Sequence, residues 1–298
     1  MSENEFVDTS VDFASKKHQN ARHHQKISGD NKMTSNLHTH CTFCDGKNTP
    51  EEIVLAALDK NFCSIGFSSH VNTPFDLRYC MKDSEGYVAE ITRLKKKYEG
   101  EIEIYMGIEE DAHALCDRSR FDYIIGSSHY SVKDEKHLPI DSSREYFDAC
   151  LDGWKHDYMA FAEDYFSFFC DYIAKRRPDI IGHYDLITKF DEKYPPIFLK
   201  NSEYHAMVKK FTEKIVGLGV IFEVNTGAMS RNFRTTPYPY VDLLHLIKKH
   251  GGRITLSSDS HAKETLDYGF EDAKILLRDV GFDESFVLYH RKFTAVPL

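Results

Sequence analysis

Seven short apolar runs punctuate the chain, and each closes on a side chain able to bind a metal. They are Asn36-Leu37-His38-Thr39-His40, Ile65-Gly66-Phe67-Ser68-Ser69-His70, Ile104-Tyr105-Met106-Gly107-Ile108-Glu109, Ile124-Ile125-Gly126-Ser127-Ser128-His129, Ile180-Ile181-Gly182-His183, Val220-Ile221-Phe222-Glu223 and Ile254-Thr255-Leu256-Ser257-Ser258-Asp259-Ser260-His261. Between them, stretches of helical character at about 84–98, 157–175, 202–217, 240–249 and 266–280 break at Gly100, Pro178, Gly219 and Gly251-Gly252. A further helix begins at Thr49-Pro50-Glu51-Glu52, where Thr49 can cap, Pro50 fits the first helical position and Glu52 completes a capping box. Strands alternating with amphipathic helices predict parallel βα units. A closed α/β barrel with one strand fewer than the usual eight accounts for the count. Its strands would share one carboxyl-end face, where barrel enzymes keep their chemistry, so the pattern predicts a multi-metal site.

Residues 1–33 carry few large apolar side chains, and such a composition buries too little surface to offset its ordering entropy. They are expected to form a mobile tail ahead of a single barrel domain at 34–298. The segment 131–156 has no clear period and follows a candidate ligand, which suggests a loop or lid over the site. The aromatic-rich stretch from Tyr158 to Tyr172 is expected to be a helix packing face rather than a cofactor box.

The net charge of −9 argues against a nucleic-acid partner, which would call for a basic face. No apolar run approaches the roughly 20 residues that span a bilayer, and the N-terminus lacks the order of a secretory signal. With seven cysteines, an odd and scattered set, a disulfide framework is not expected. The expectation is a cytoplasmic protein without a membrane partner; a homo-oligomer is left open. Cys41 and Cys44 form a C-x-x-C pair, but without a second pair it is a weak zinc signal.

Two histidines one residue apart at a strand end point to the same face, so His38 and His40 can bind one cation together. Asp259-Ser260-His261 repeats the geometry at the last strand. Mixed imidazole and carboxylate donors suit zinc, iron or manganese better than calcium or magnesium alone. Glu109 can bridge two ions. Such a cluster lowers the pKa of bound water to give a hydroxide nucleophile and clamps the oxygens of an in-line displacement at phosphorus, with no side-chain nucleophile. Phosphate also needs cations from the protein, and the loop 225–234 supplies Arg231 and Arg234, with Lys189 a second source. Glu223 could be a ligand, an acceptor behind one, or a contact to a substrate ammonium group; it is kept as a substrate-side candidate.

His38-Thr39-His40, Ser69-His70, Glu109, Ser128-His129, Gly182-His183-Tyr184-Asp185 and Ser258-Asp259-Ser260-His261 resemble the ordered motifs of the polymerase and histidinol phosphatase (PHP) superfamily. Asp45-Gly46 before a capped helix, the string from Gly182 to Phe190 and Glu223-Val224-Asn225-Thr226-Gly227-Ala228 are similar to its histidinol-phosphatase branch. The resemblance implies a distorted seven-stranded (β/α)7 barrel holding two or three divalent ions. One ion would take His38, His40, Glu109 and Asp259; a second would share Glu109 and take His129 and His183; a third would take His70 and His261. Asp45 stands where many relatives have a histidine, and could substitute as an oxygen ligand. Glu109 and Asp259 would be central to catalysis. The implied reaction is metal-dependent hydrolysis of a small phosphomonoester, L-histidinol phosphate in histidine biosynthesis. The alternatives are another small phosphorylated substrate or nucleotide, or a non-catalytic metal-binding domain, which should have lost ligands.

Overall fold

The computed structural model describes residues 33–298; the expected tail falls outside them except for Met33. In chain order the elements are β1 (Ser35–Asn36), α1 (Pro50–Asp59), β2 (Ser64–Phe67), α2 (Ser84–Lys97), β3 (Glu103–Asp111), β4 (Tyr123–Ser127), β5 (Tyr130–Lys133), β6 (Lys136–Pro139), α3 (Arg144–Asp152) and α4 (Tyr158–Arg176). They continue with β7 (Ile180–Ile181), α5 (Ser202–Val216), β8 (Ile221–Asn225), α6 (Gly227–Ser230), α7 (Val241–Lys249), β9 (Arg253–Ser257), α8 (Phe270–Val280), β10 (Glu284–Tyr289) and β11 (Lys292–Pro297).

Seven strands pair in parallel in the order β1-β2-β3-β4-β7-β8-β9. Each of the seven apolar runs contributes one. Past the ends of β9 and β1, the His40 amide donates to the Ser260 carbonyl at 2.8 Å and the Ser260 amide to the His38 carbonyl at 3.1 Å. These bonds bring the last strand end against the first and nearly close the barrel. All seven carboxyl ends therefore converge.

Local sequence explains the helices. Thr49 Oγ1 accepts the Glu52 amide and the Glu52 carboxylate accepts the Thr49 amide, so two otherwise unpaired donors of α1 are satisfied reciprocally. Ile53, Val54 and Ala57 then face the core. In α4 the aromatic stretch buries Phe161, Tyr165, Phe166, Phe169 and Tyr172, each worth roughly 1.5–3 kcal/mol. Tyr158 and Phe168 are exposed instead. Inside the barrel, Tyr123 donates to the Leu37 and Phe67 carbonyls. Its ring requires glycine opposite, since a Cβ on Gly107 would lie 2.2 Å from it.

Segment 131–156, expected as a loop or lid, instead holds part of the β5–β6 hairpin and all of α3. A second hairpin, β10–β11, ends the chain. Both were illegible for the same reason. Their turns use Asp134-Glu135 and His290-Arg291 at positive φ, without the glycine or asparagine that normally marks such turns. No helix among the described residues is long and apolar enough to cross a membrane.

Candidate metal centre and substrate cavity

Glu109, at the end of β3, is the hub of the carboxyl face. Its Oε2 lies 3.2 Å from His38 Nε2, 3.5 Å from His40 Nε2 and 2.8 Å from His70 Nδ1. Its Oε1 lies 3.3 Å from His129 Nε2 and 3.0 Å from His183 Nε2. Five imidazoles from β1, β2, β4 and β7 thus meet one buried carboxylate. Asp259 Oδ1 joins at 3.2 Å from His40 Nε2 and 3.7 Å from His38 Nε2. On the outer side Asp45 stands 3.2 Å from His261 Nε2 and 3.7 Å from His70 Nε2. The donor atoms of His40, Asp45, His70 and His261 fall within 4.8 Å of one another, as do those of His38, His40 and Glu109 and those of His70, Glu109 and His129. All nine candidate ligands are therefore gathered in one place.

A second layer orients them. His38 Nδ1 is 2.5 Å from Glu223, His129 Nδ1 is 3.1 Å from Asp111, and His261 Nδ1 is 3.0 Å from the Asp259 carbonyl. Each acceptor draws the ring proton to Nδ1 and leaves the Nε2 lone pair toward the cluster. Ser127 donates to Glu109 Oε1 at 2.7 Å. Asp259 sits at φ 45°, a left-handed conformation that aspartate tolerates better than most residues and that is typical of functional sites. Nothing in the apolar runs announced Asp111. Its signal was the Glu109-Glu110-Asp111 triplet, in which strand alternation puts Glu109 and Asp111 on one side.

A cavity of about 600 Å³ opens above the cluster, lined on one side by Asp45, His70, His129, His183, Asp259 and His261. Arg231 and Lys189 also line it. Arg231 Nη2 is 2.8 Å from Asp259 Oδ2. Gly227 makes that approach possible, because a Cβ there would lie 2.8 Å from Asp259 Cβ and 2.9 Å from Arg231 Nη2. Lys189 Nζ donates to the Asp141 carbonyl at 2.5 Å. The rest of the lining includes Asp76, Arg78, Tyr79, Tyr130 and Asp141, which sequence reasoning missed because they come from irregular loops and the unforeseen hairpin.

Two substrate-side expectations are corrected. Glu223 does not reach the cavity: it is buried beneath His38 and also accepts the His183 amide, Asn225 Nδ2 and Ser257 Oγ. The alternation that sent it inward aimed it at the barrel interior. Arg234 is likewise absent from the cavity wall, with its side chain fully buried. Its guanidinium donates to Thr188 Oγ1 at 2.6 Å, lies 3.8 Å from Asp185 and 3.5 Å from Glu192, and covers the Tyr238 ring. Three residues beyond Arg231, the loop has already turned back into the protein.

The donor set fits divalent cations. His38 Nε2, His40 Nε2 and Glu109 Oε2 are buried without hydrogen-bond partners among the described residues, although they face one another. Burial alone would lower His38, yet Glu223, Glu109 and Asp259 raise it well above the ordinary histidine range. His129 is raised against burial in the same way, chiefly by Glu109. His40 is pushed down to about 3 by burial and by His261 and His70, which keeps it neutral with a free lone pair. Glu109 and Asp259 are held well below the carboxylate range against burial, Glu109 mainly by His38 and Asp259 mainly by Arg231. Such a concentration of anionic charge draws cations, and metal can replace the protons. Cys44, by contrast, is pushed up to about 12 by burial and stays a thiol.

The PHP domain matches residues 36–227, and the chain belongs to that family. A probable histidinol-phosphatase of Schizosaccharomyces pombe is 28% identical over 277 residues, covering 84% of this chain and 87% of its own. A probable histidinol-phosphatase of Deinococcus radiodurans is 29% identical over 271 residues, covering 86% and 96%. Among solved structures, the histidinol phosphate phosphatase of Lactococcus lactis, complexed with zinc, L-histidinol and phosphate, superposes with a TM-score of 0.64 at 20% identity, covering 88% of this chain and 98% of its own. That likeness shows a shared fold.

Proposed function

We propose that this chain is a metal-dependent histidinol-phosphatase, hydrolysing L-histidinol phosphate to L-histidinol and phosphate. The convergence of five imidazoles on both oxygens of Glu109, directly below a cavity bearing Arg231, carries this reading. The names of the relatives from S. pombe and D. radiodurans support the substrate.

His38, His40, Glu109, Asp259, His129, His183, His70, His261 and Asp45 would hold two or three divalent ions, with zinc, iron and manganese the candidates. When bound, such ions activate water as a nucleophile and neutralise charge on phosphoryl oxygens. The protein's own residues do the rest. Arg231 offers a planar fork to the phosphate, and Lys189 adds a second cation on the same wall. Glu223, Asp111 and the Asp259 carbonyl keep three imidazoles in the orientation the cluster needs. Water attacks phosphorus, the ester P–O bond breaks, and the leaving oxygen takes up a proton to become the alcohol of L-histidinol. The reaction would serve histidine biosynthesis in the cytoplasm.

The test is metal analysis of purified protein together with phosphate release from L-histidinol phosphate and a panel of other phosphomonoesters and nucleotides. Preference for L-histidinol phosphate is expected. Turnover confined to another phosphoester would move the protein to a different substrate, and no phosphate release from any would leave a non-catalytic metal-binding domain.

A further inference from the structure

L-Histidinol phosphate is charged at both ends of a short unit, with a phosphate dianion and, one carbon beyond the ester CH₂, a primary ammonium. Sequence reasoning offered Glu223 for the ammonium, and the fold has buried it under His38. Among the described residues the cavity is lined by four carboxylates: Asp45, Asp76, Asp141 and Asp259. Asp45 and Asp259 face the cluster histidines. Asp76 is occupied at both oxygens, by the Arg78 fork at 2.8 and 2.6 Å and by the Tyr130 hydroxyl at 2.9 Å. Asp141 remains.

Its carboxylate has one hydrogen-bond or ion-pair partner among the described residues, Lys189 Nζ at a long 3.3 Å from Oδ2, and Oδ1 has none. Lys189 is held more tightly by the backbone carbonyl of the same residue, at 2.5 Å. The position is also fixed. The neighbouring Ile140 is fully buried and its amide donates to the His129 carbonyl at 3.0 Å, so Asp141 is anchored beside a candidate ligand that lines the cavity. Lys189, one of the two cations offered to phosphate, lies beside Asp141, so an ammonium adjacent to phosphate held there would be within reach of this carboxylate.

We propose that Asp141 accepts the substrate ammonium group through its free carboxylate oxygen and thereby selects amino-alcohol phosphates over uncharged ones. This rests on the histidinol-phosphatase reading. The experiment compares metal-loaded parent and Asp141→Asn on L-histidinol phosphate and on its deaminated analogue, 3-(imidazol-4-yl)propyl phosphate. Binding of L-histidinol and of inorganic phosphate is measured separately by calorimetry. One charge-assisted hydrogen bond predicts that Asp141→Asn lowers kcat/KM on L-histidinol phosphate by about ten- to a hundredfold and weakens L-histidinol binding by a similar factor. Turnover of the deaminated analogue and binding of phosphate should stay within about threefold, far below that range. Equal losses on both substrates would overturn the proposal and leave Asp141 a support for Lys189; so would no loss on either. Asp141→Glu, which keeps the charge, should retain the preference for the amine if the substitution to Asn is poorly folded. If the parent releases phosphate only from esters without an ammonium group, the functional reading itself falls and this proposal with it.

Discussion

Two charged regions of this protein differ in where their positive charge comes from. Around Arg234, the carboxylates Asp185 and Glu192 face a guanidinium supplied by the chain, at 3.8 and 3.5 Å. Around Glu109, the carboxylates Asp45, Glu109 and Asp259 face imidazoles, and the permanent cation is Arg231 at the rim. Unpaired charge in a protein interior is costly, so each region must be neutralised. The first is neutralised by folding. In the second, His38 Nε2, His40 Nε2 and Glu109 Oε2 are turned toward one another without hydrogen-bond partners among the described residues, an arrangement that suits a cation from outside the chain.

Removing cations should therefore strike only the second region. Exhaustive chelation is expected to abolish phosphate release, and added zinc, manganese or iron to restore it; full turnover in protein shown to be metal-free would collapse the distinction. Glu109→Gln and Asp259→Asn, which keep shape and remove charge, should each cost at least about a thousandfold in kcat, roughly 4 kcal/mol of barrier. Either variant with normal metal content and near-parent rate would refute the role given to it.

Beneath His38 lies Glu223, and Glu223→Gln sets an amide among four donors. A loss of about ten- to a hundredfold in metal affinity is expected, as for other residues that orient ligands, and competition with a chromogenic chelator would measure it. Arg231→Ala should lower kcat/KM by about ten- to a hundredfold with metal content intact, and Arg231→Lys should recover only part. Parent-like kinetics and parent-like inhibition by phosphate would make Arg231 merely the partner of Asp259.

The smallest effect on activity, and the sharpest contrast, belongs to Arg234. Arg234→Met strands Asp185 in the interior and should lower unfolding free energy by about 3–5 kcal/mol. Phosphate inhibition of the folded fraction should be unchanged. A variant as stable as the parent but insensitive to phosphate would return Arg234 to the substrate side.

Much of this was legible in the sequence because it depends on spacing along single elements. Strand alternation put His38 and His40 on one face, and each of the seven apolar runs holds one strand of the parallel sheet. Thr49 through Glu52 stated their capping box outright. Eight of the nine candidate ligands close the apolar runs, whose ends a parallel barrel brings together, and Asp45 was named only through the family resemblance. What alternation could not tell was depth. Glu109 and Glu223 end their runs in the same way, yet the first reaches the cluster and the second supports it from below. Arg231 and Arg234 share a loop, and only the path of the backbone after Gly227 sends one to the cavity and the other into the interior. Asp141 had no local signature at all, because its place depends on a hairpin whose turn lacks glycine and on the bond from the Ile140 amide to the His129 carbonyl that continues it. Periodicity fixes the direction of a side chain within its own element; its neighbours and its distance from solvent are decided by the packing of elements far apart in sequence.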